Sequence, residues 1–201
     1  MAEVKLFDAI PGQMRFPKIL PVLYETMQGW LNHQSSKDEI WEVYDSQRNL
    51  TGRTHRRADP LPPGEYHLVV HVWLQNSKGE FLITKRAPNK GDPNMWECTC
   101  GSAVAGDDSM KAAVREAKEE TGLDIKPEDG RCVFTETWGN SISDIWLFRQ
   151  DFNINDVVLQ ENETIDAKYA TMDEIGKMIN SGEFIAFHYI EDFFEKVKAL
   201  I

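Results

Sequence analysis

Glu116, Glu119 and Glu120 stand at i, i+3 and i+4 within the stretch Gly101 to Leu123. On a helix that spacing gathers three carboxylates into one arc. Like charges so placed cost about 0.2–0.5 kcal/mol per pair, and no Lys or Arg follows any of them four residues later. Something outside the helix must neutralise the cluster. A hard divalent cation, Mg²⁺ or Mn²⁺, suits it, because such ions take carboxylate oxygens and keep several waters. A solvated acidic face is the plain alternative.

The elements that must position these groups are legible in the same stretch. A loop of small residues from Gly101 leads to an N-capping region, Asp107-Asp108-Ser109, and then to about three turns of helix. Gly122 stands where a C′ glycine closes a helix. At about 100° per residue, Met110, Ala113, Val114, Ala117 and Thr121 share the core arc. Lys111, Arg115 and Lys118 occupy the remainder.

With those residues in view, the stretch resembles the Nudix box: Gly, five residues, Glu, seven residues, then Arg-Glu-aliphatic-x-Glu-Glu-x-Gly-aliphatic. Gly101, Arg115, Glu116, Glu119, Glu120, Gly122 and Leu123 match at the family spacing. Six such fixed identities coincide by chance on the order of once in ten million positions, so the match is specific. Two positions depart: Asp107, with Asp108 beside it, replaces the first Glu, and Ala117 replaces an aliphatic. The resemblance implies that Glu116 and Glu120 are metal ligands and that Glu119 is a third ligand or the base. It implies that the backbone carbonyl of Cys100 completes the metal shell and that Arg115 orients the carboxylates. In some members a glutamate outside the box is the base; Glu163 is the candidate here, with Glu161 behind it. The implied activity is cleavage of a diphosphate linkage in a nucleoside-diphosphate-type or related small molecule by a metal-activated water, with Mg²⁺ or Mn²⁺ as cofactor.

A second resemblance lies upstream. The runs WEVYDSQRNLTGRTHRR and YHLVVHVWLQNSKGEFLITKRAPNK, with the following Met95-Trp96, are similar to isopentenyl-diphosphate isomerase, which shares the Nudix fold. The isomerase needs a Cys followed closely by His, whereas Cys100 here is followed by Gly101-Ser102-Ala103. Isomerase-like activity is therefore the runner-up, and a Nudix module that senses a nucleotide without turnover is a third reading.

The chain has 201 residues, 41% hydrophobic, with a formal charge of −11. That length suits one domain plus an extension. The acidic balance argues against a nucleic-acid polymer or an acidic membrane as partner. No apolar run approaches the length of a membrane span, and the N-terminus lacks a signal-peptide layout. A cytoplasmic address and a small-molecule diphosphate partner are the expectation. The three cysteines, Cys98, Cys100 and Cys132, are expected as reduced thiols. Cys98 and Cys100 should share one strand face as buried thiols, C-x-C alone being no zinc pattern.

Residues 1–36 read as an extension with one amphipathic helix from Pro21 to about Leu31. Its stripe of Leu23, Met27, Trp30 and Leu31 either docks on its own core or forms a homodimer contact. Residues 37–201 read as the Nudix domain, with its core at about 66–196. Strands are expected at 39–44, 66–74, 80–86, 95–99, 132–138, 142–152 and 164–170, with helices at 172–180 and about 189–200. Leu68, Val70, Val72 and Leu74 should face one way, and His67, Val69, His71 and Trp73 the other. The basic cluster Arg53, His55, Arg56 and Arg57 is either solvated surface or a seat for a distal phosphate. Arg86, His71 and Arg56 are the substrate-binding candidates, and Trp138 and Trp146 are either core or a flat wall for a substrate group. The expected fold is α+β, an α/β/α sandwich with a mixed β-sheet and the box loop-helix, carrying an N-terminal helical extension.

Overall fold

The computed structural model describes residues 39–200. The expected helix in 1–36 and its stripe lie outside the described residues.

Strand β3 (His67–Gln75) is the centre of the sheet and is buried along its whole length. Its one edge pairs in parallel with β8 (Ser141–Arg149) over nine residues, from His67↔Ser141 to Gln75↔Arg149. Its other edge is shared. Near the turn at residues 76–80 it pairs antiparallel with β4 (Phe81–Arg86), at Leu74↔Leu82 and Gln75↔Phe81. Further along, β4 diverges and β6 (Thr99–Ser102) takes its place, from Val72↔Thr99 to Val69↔Ser102. Strand β7 (Gly130–Trp138) pairs outside β8, while β5 (Trp96–Glu97) and β9 (Thr164–Ala170) pair with the two edges of β4. The sheet is thus mixed.

Period-two alternation on β3 sorts two cores. Leu68, Val70, Val72 and Leu74 pack with Ala112, Ala113 and Ala117 of helix α1 (Ser109–Thr121) and with Ile142, Trp146 and Phe148. Val69 and Trp73 face the opposite layer, where Ile175 and Ile179 of α2 (Met172–Asn180) and Phe193, Phe194 and Val197 of α3 (Ile190–Lys198) cover them. Each large apolar side chain so buried contributes about 1.5–3 kcal/mol. Three alanines, fully buried, let α1 lie close against the sheet. The Ala117 departure from the box pattern therefore sits in packing. The arrangement is a mixed α+β fold with helices on both faces, as expected. Among the described residues no helix is long and apolar enough to cross a membrane.

Strand β1 (Ile40–Tyr44) forms a separate hairpin with β2 (Leu50–Arg56). Strand β2, which holds Arg53, His55 and Arg56 of the basic cluster, is not among the expected strands. Its residues are largely exposed and carry no alternation of apolar side chains, so periodicity had nothing to register. The hairpin reaches the main domain through a Tyr44↔Tyr66 bridge and an Ala105 N–H to Ile40 carbonyl bond of 2.8 Å, which sets it beside the box loop.

Candidate active site

Helix α1 begins as its sequence dictates. Asp108 is the N-cap and accepts from the Lys111 N–H at 2.8 Å. The Ser109 hydroxyl accepts from Trp146 Nε1 at 2.9 Å, fixing the helix start to the sheet. Gly122 closes the helix at φ 71°, its N–H donating to the Lys118 carbonyl. Beyond it the loop at 157–164 is tied to the helix end, with Thr164 Oγ1 and the Gln160 N–H both donating to the Glu120 carbonyl at 3.4 Å.

Asp107 is released from capping and pairs instead with Arg115, whose Nε donates to Oδ2 at 3.0 Å. The Arg115 Nη1 donates to Glu116 Oε1 at 2.8 Å and to Glu119 Oε2 at 3.0 Å, and Nη2 donates to the Ser102 carbonyl at 2.9 Å. Part of the neutralisation expected from outside the helix thus comes from Arg115 on the helix itself. Arg115 precedes Glu119 by four residues and serves it from the N-terminal side.

Relief stops short of the deepest carboxylate. Glu116 and Glu120 are buried, while Glu119 stays half-exposed at the mouth. Burial raises the Glu116 pKa to about 7, with Arg115 opposing and Glu119 adding to the rise. Glu120 is pushed well above the usual carboxylate range by burial and by Glu97 and Glu116, against a pull from Lys90 and Arg86. Its Oε2 is buried with no hydrogen-bond partner among the described residues. At Gly101 a Cβ would stand 1.9 Å from the Glu116 carboxyl carbon, so the glycine is the hole into which that carboxylate fits.

Two residues that sequence reasoning missed complete the cluster. Glu97 on β5 is 3% exposed and accepts from Arg86 Nη1 at 2.8 and 2.9 Å. Arg86 also donates from Nε to the Gly91 carbonyl at 2.6 Å. The signal for Glu97 was available: if Cys98 and Cys100 face one side of the sheet, Glu97 and Gly101 face the other, the side of the glutamates. Lys90 forms a buried ion pair with Glu163. Burial lowers the Lys90 pKa to about 8, against an opposing pull from Glu120. No periodic signal marks Lys90, because a loop-to-loop contact brings it in: the Ala87 N–H donates to the Glu163 carbonyl at 2.9 Å.

The remaining candidates fall elsewhere. Glu161 is exposed. Cys100 lies next to Gly101 on β6, its side chain turned to the opposite layer. Arg86 is fully buried and held by Glu97 and Gly91, a wall of the site. His71 does not line this cluster: it is 3% exposed, shares the Val69 and Trp73 side of β3, and bonds to Cys100 and Tyr189. Arg56 is exposed on the separate β1–β2 hairpin. Trp146 packs beneath α1 and Trp138 stacks on His188 at 4.2 Å.

The site thus gathers buried carboxylates, one of them with an oxygen that has no hydrogen-bond partner among the described residues. The hard oxygen donors of Glu116 and Glu120 fit Mg²⁺ or Mn²⁺.

The chain is similar to known proteins in sequence and in fold. The NUDIX domain family matches residues 65–193. A Listeria monocytogenes protein described as an uncharacterised Nudix hydrolase is 39% identical over 158 residues, covering 78% of this chain and 94% of the relative. An isopentenyl-diphosphate Delta-isomerase of Escherichia coli is 32% identical over only 81 residues, 39% of this chain and 44% of the isomerase. A crystal structure from Deinococcus radiodurans superposes with a TM-score of 0.64 at 23% identity, covering 76% of this chain and 96% of that one.

Proposed function

The chain belongs to the Nudix hydrolase family, and from that premise we propose that it cleaves the diphosphate linkage of a nucleoside-diphosphate-type or related small molecule with a divalent cation seated on Glu116 and Glu120. The observation that carries the reading is the buried, unpartnered Oε2 of Glu120 beside Glu116 in the cradle at Gly101. A bound Mg²⁺ or Mn²⁺ would supply charge neutralisation for the phosphoryl oxygens and acidify an attacking water.

The chain's own residues do the rest. Arg115 holds Glu116 and Glu119 in one orientation and is itself held by Asp107. Glu119, half-exposed at the mouth, serves as third ligand or takes a proton from water at Oε1, since Oε2 accepts from Arg115. Glu163 is the second candidate base, positioned by Lys90. The carbonyl of Cys100 is the backbone contribution to the cation. Arg86 and Lys90 offset the field of Glu97 and Glu120 and so keep an acidic protein from repelling a phosphate. A small-molecule substrate and a cytoplasmic address belong to the same reading, and so does a domain that begins near residue 37.

The isomerase reading is favoured by the 81-residue match alone. Against it, the Cys100 thiol is fully buried on the sheet face away from the glutamates. The test is a metal-dependent hydrolysis screen of nucleoside triphosphates, nucleotide sugars, dinucleotides and isopentenyl diphosphate, with Glu120→Gln alongside. Metal-dependent diphosphate cleavage lost in the variant supports the proposal. Double-bond migration in isopentenyl diphosphate would replace it with the isomerase, and tight nucleotide binding without turnover would replace it with a sensing module.

A further inference from the structure

Behind the carboxylates, on the other side of the same strands, three metal-ligating side chains converge in the apolar core. The β3–β6 register sets His71 directly opposite Cys100. Cys98, two residues earlier, points the same way. His71 Nδ1 is 3.3 Å from Cys100 Sγ, and the two sulfurs are 3.4 Å apart. The Tyr189 hydroxyl, at the start of α3, stands 2.8 Å from His71 Nδ1 and 3.8 Å from Cys98 Sγ. All four residues are buried, with Phe187 edge-on against the imidazole at 4.9 Å. The donor atoms of His71, Cys98 and Cys100 all lie within 4.8 Å of one another.

We propose that His71 Nδ1, Cys98 Sγ and Cys100 Sγ form a structural zinc site, with the Tyr189 oxygen at the fourth corner. Tetrahedral zinc with bonds of about 2.3 Å to sulfur and 2.0 Å to nitrogen sets its ligand atoms roughly 3.5–3.8 Å apart. The observed separations of 3.3 and 3.4 Å need widen by only a few tenths of an ångström. Sulfur and imidazole select zinc over the hard cations suited to the glutamates. The charge balances as well. Each thiol gives its proton to solvent as its Zn–S bond forms, and two thiolates cancel the divalent charge, so the filled site adds no net charge to an apolar layer. A zinc ion there would clamp β6 to β3 and to α3 from behind, fixing the segment that runs from Glu97 at the end of β5 to Gly101 on β6. The spacing C-x-C did not disclose this site because the third ligand, His71, comes from a different strand.

The proposal stands apart from the hydrolase reading and is tested apart from it. The full chain is expressed with zinc in the medium, gel-filtered with EDTA and analysed for metal by mass spectrometry. The expected result is about one zinc per chain, lost in Cys98→Ser/Cys100→Ser and in His71→Gln. The wild-type chain is also unfolded and refolded with Co²⁺, which needs no variant to fold. Thiolate-to-cobalt charge transfer in the near ultraviolet, with the visible bands of a tetrahedral ion, is expected, and carboxylates cannot produce the former. Cobalt-refolded protein lacking the charge-transfer band, or zinc retained by the double cysteine variant, would overturn the assignment and leave a hydrogen-bonded thiol pair in the core.

Discussion

Arg86 Nη1 donates to both carboxylate oxygens of Glu97, at 2.8 and 2.9 Å, in a pair with almost no exposed surface. Two ions removed from water in this way depend on one another. Arg86→Met takes the guanidinium away from a buried carboxylate close to Glu120 and should cost about 3–5 kcal/mol of stability, as breaking a buried pair from one side usually does. The double variant Arg86→Met/Glu97→Met removes both charges and should recover most of that loss. Urea denaturation in chelator measures both. A single variant within 1 kcal/mol of wild type, roughly the worth of an exposed pair, would show that water reaches Glu97.

Glu120 opposes its own ionisation, through burial and through Glu97 and Glu116. Glu120→Gln removes that conflict while keeping the shape. In chelator the variant should melt at a higher temperature than wild type. Its turnover should fall about a thousandfold, corresponding to several kcal/mol of lost charge stabilisation. Added Mn²⁺ should raise the melting temperature of wild type and leave that of the variant unchanged. Equal metal shifts in both proteins would place the cation elsewhere.

Gly101 separates activity from stability in a second way. An added Cβ would lie 2.2 Å from each Glu116 carboxylate oxygen, so Gly101→Ala must displace that carboxylate. The obstacle is the end of a side chain, and overpacking of this kind typically costs about 1–3 kcal/mol. The backbone there needs no left-handed conformation, since Gly101 is absent from the positive-φ glycines. Gly101→Ala should therefore remain folded by circular dichroism while losing metal-dependent turnover nearly as fully as Glu120→Gln. Retained turnover would mean that Glu116 has a second productive position.

The box helix, its caps and the central strand were legible because each rests on a local signal: the Asp-Asp-Ser start, the Gly122 stop, and period-two alternation on β3 that sorts Val70 from Trp73. Strand β2 was not, because an exposed strand carries no such alternation. The same divide runs through the site. Glu116 and Glu120 follow from helical spacing; Glu97 carries an alternation signal that the expectations above do not use, and Lys90 enters through contact between two loops distant in sequence. Alternation places His71 on one face with Val69 and Trp73 but does not say which layer covers that face, so a substrate-binding candidate proves to lie beneath the layer of α2 and α3. Arg115 shows a subtler limit: no base follows the glutamates at helical spacing, and the relevant one precedes Glu119 by four residues.

The pH dependence of stability reads the strain on Glu116 directly. Its pKa is raised from 4.5 in the unfolded chain to about 7 in the fold, first by burial. A raised carboxyl lends stability that is fully present below pH 4.5 and is lost as pH rises through 7, because the unfolded chain ionises first. His67 and His71, pushed down to about 3 by burial, act oppositely and lose stability as pH falls from 6.5. The absolute curve mixes these trends, so the informative quantity is Glu116→Gln minus wild type in chelator. That difference should be flat below pH 4.5, rise in favour of the variant up to 7 and level off above it. At about 1.4 kcal/mol per unit, the rise from 4.5 to about 7 amounts to roughly 3 kcal/mol. Loss of the Arg115 contact in the variant adds an offset that does not vary over this range, because the guanidinium stays charged. With Mn²⁺ present the rise should vanish, since a cation favours the ionised form that burial opposes. A difference that stays flat from pH 4 to 8 in chelator would show that Glu116 is solvated, and the case for a cation seat at Gly101 would fall with it.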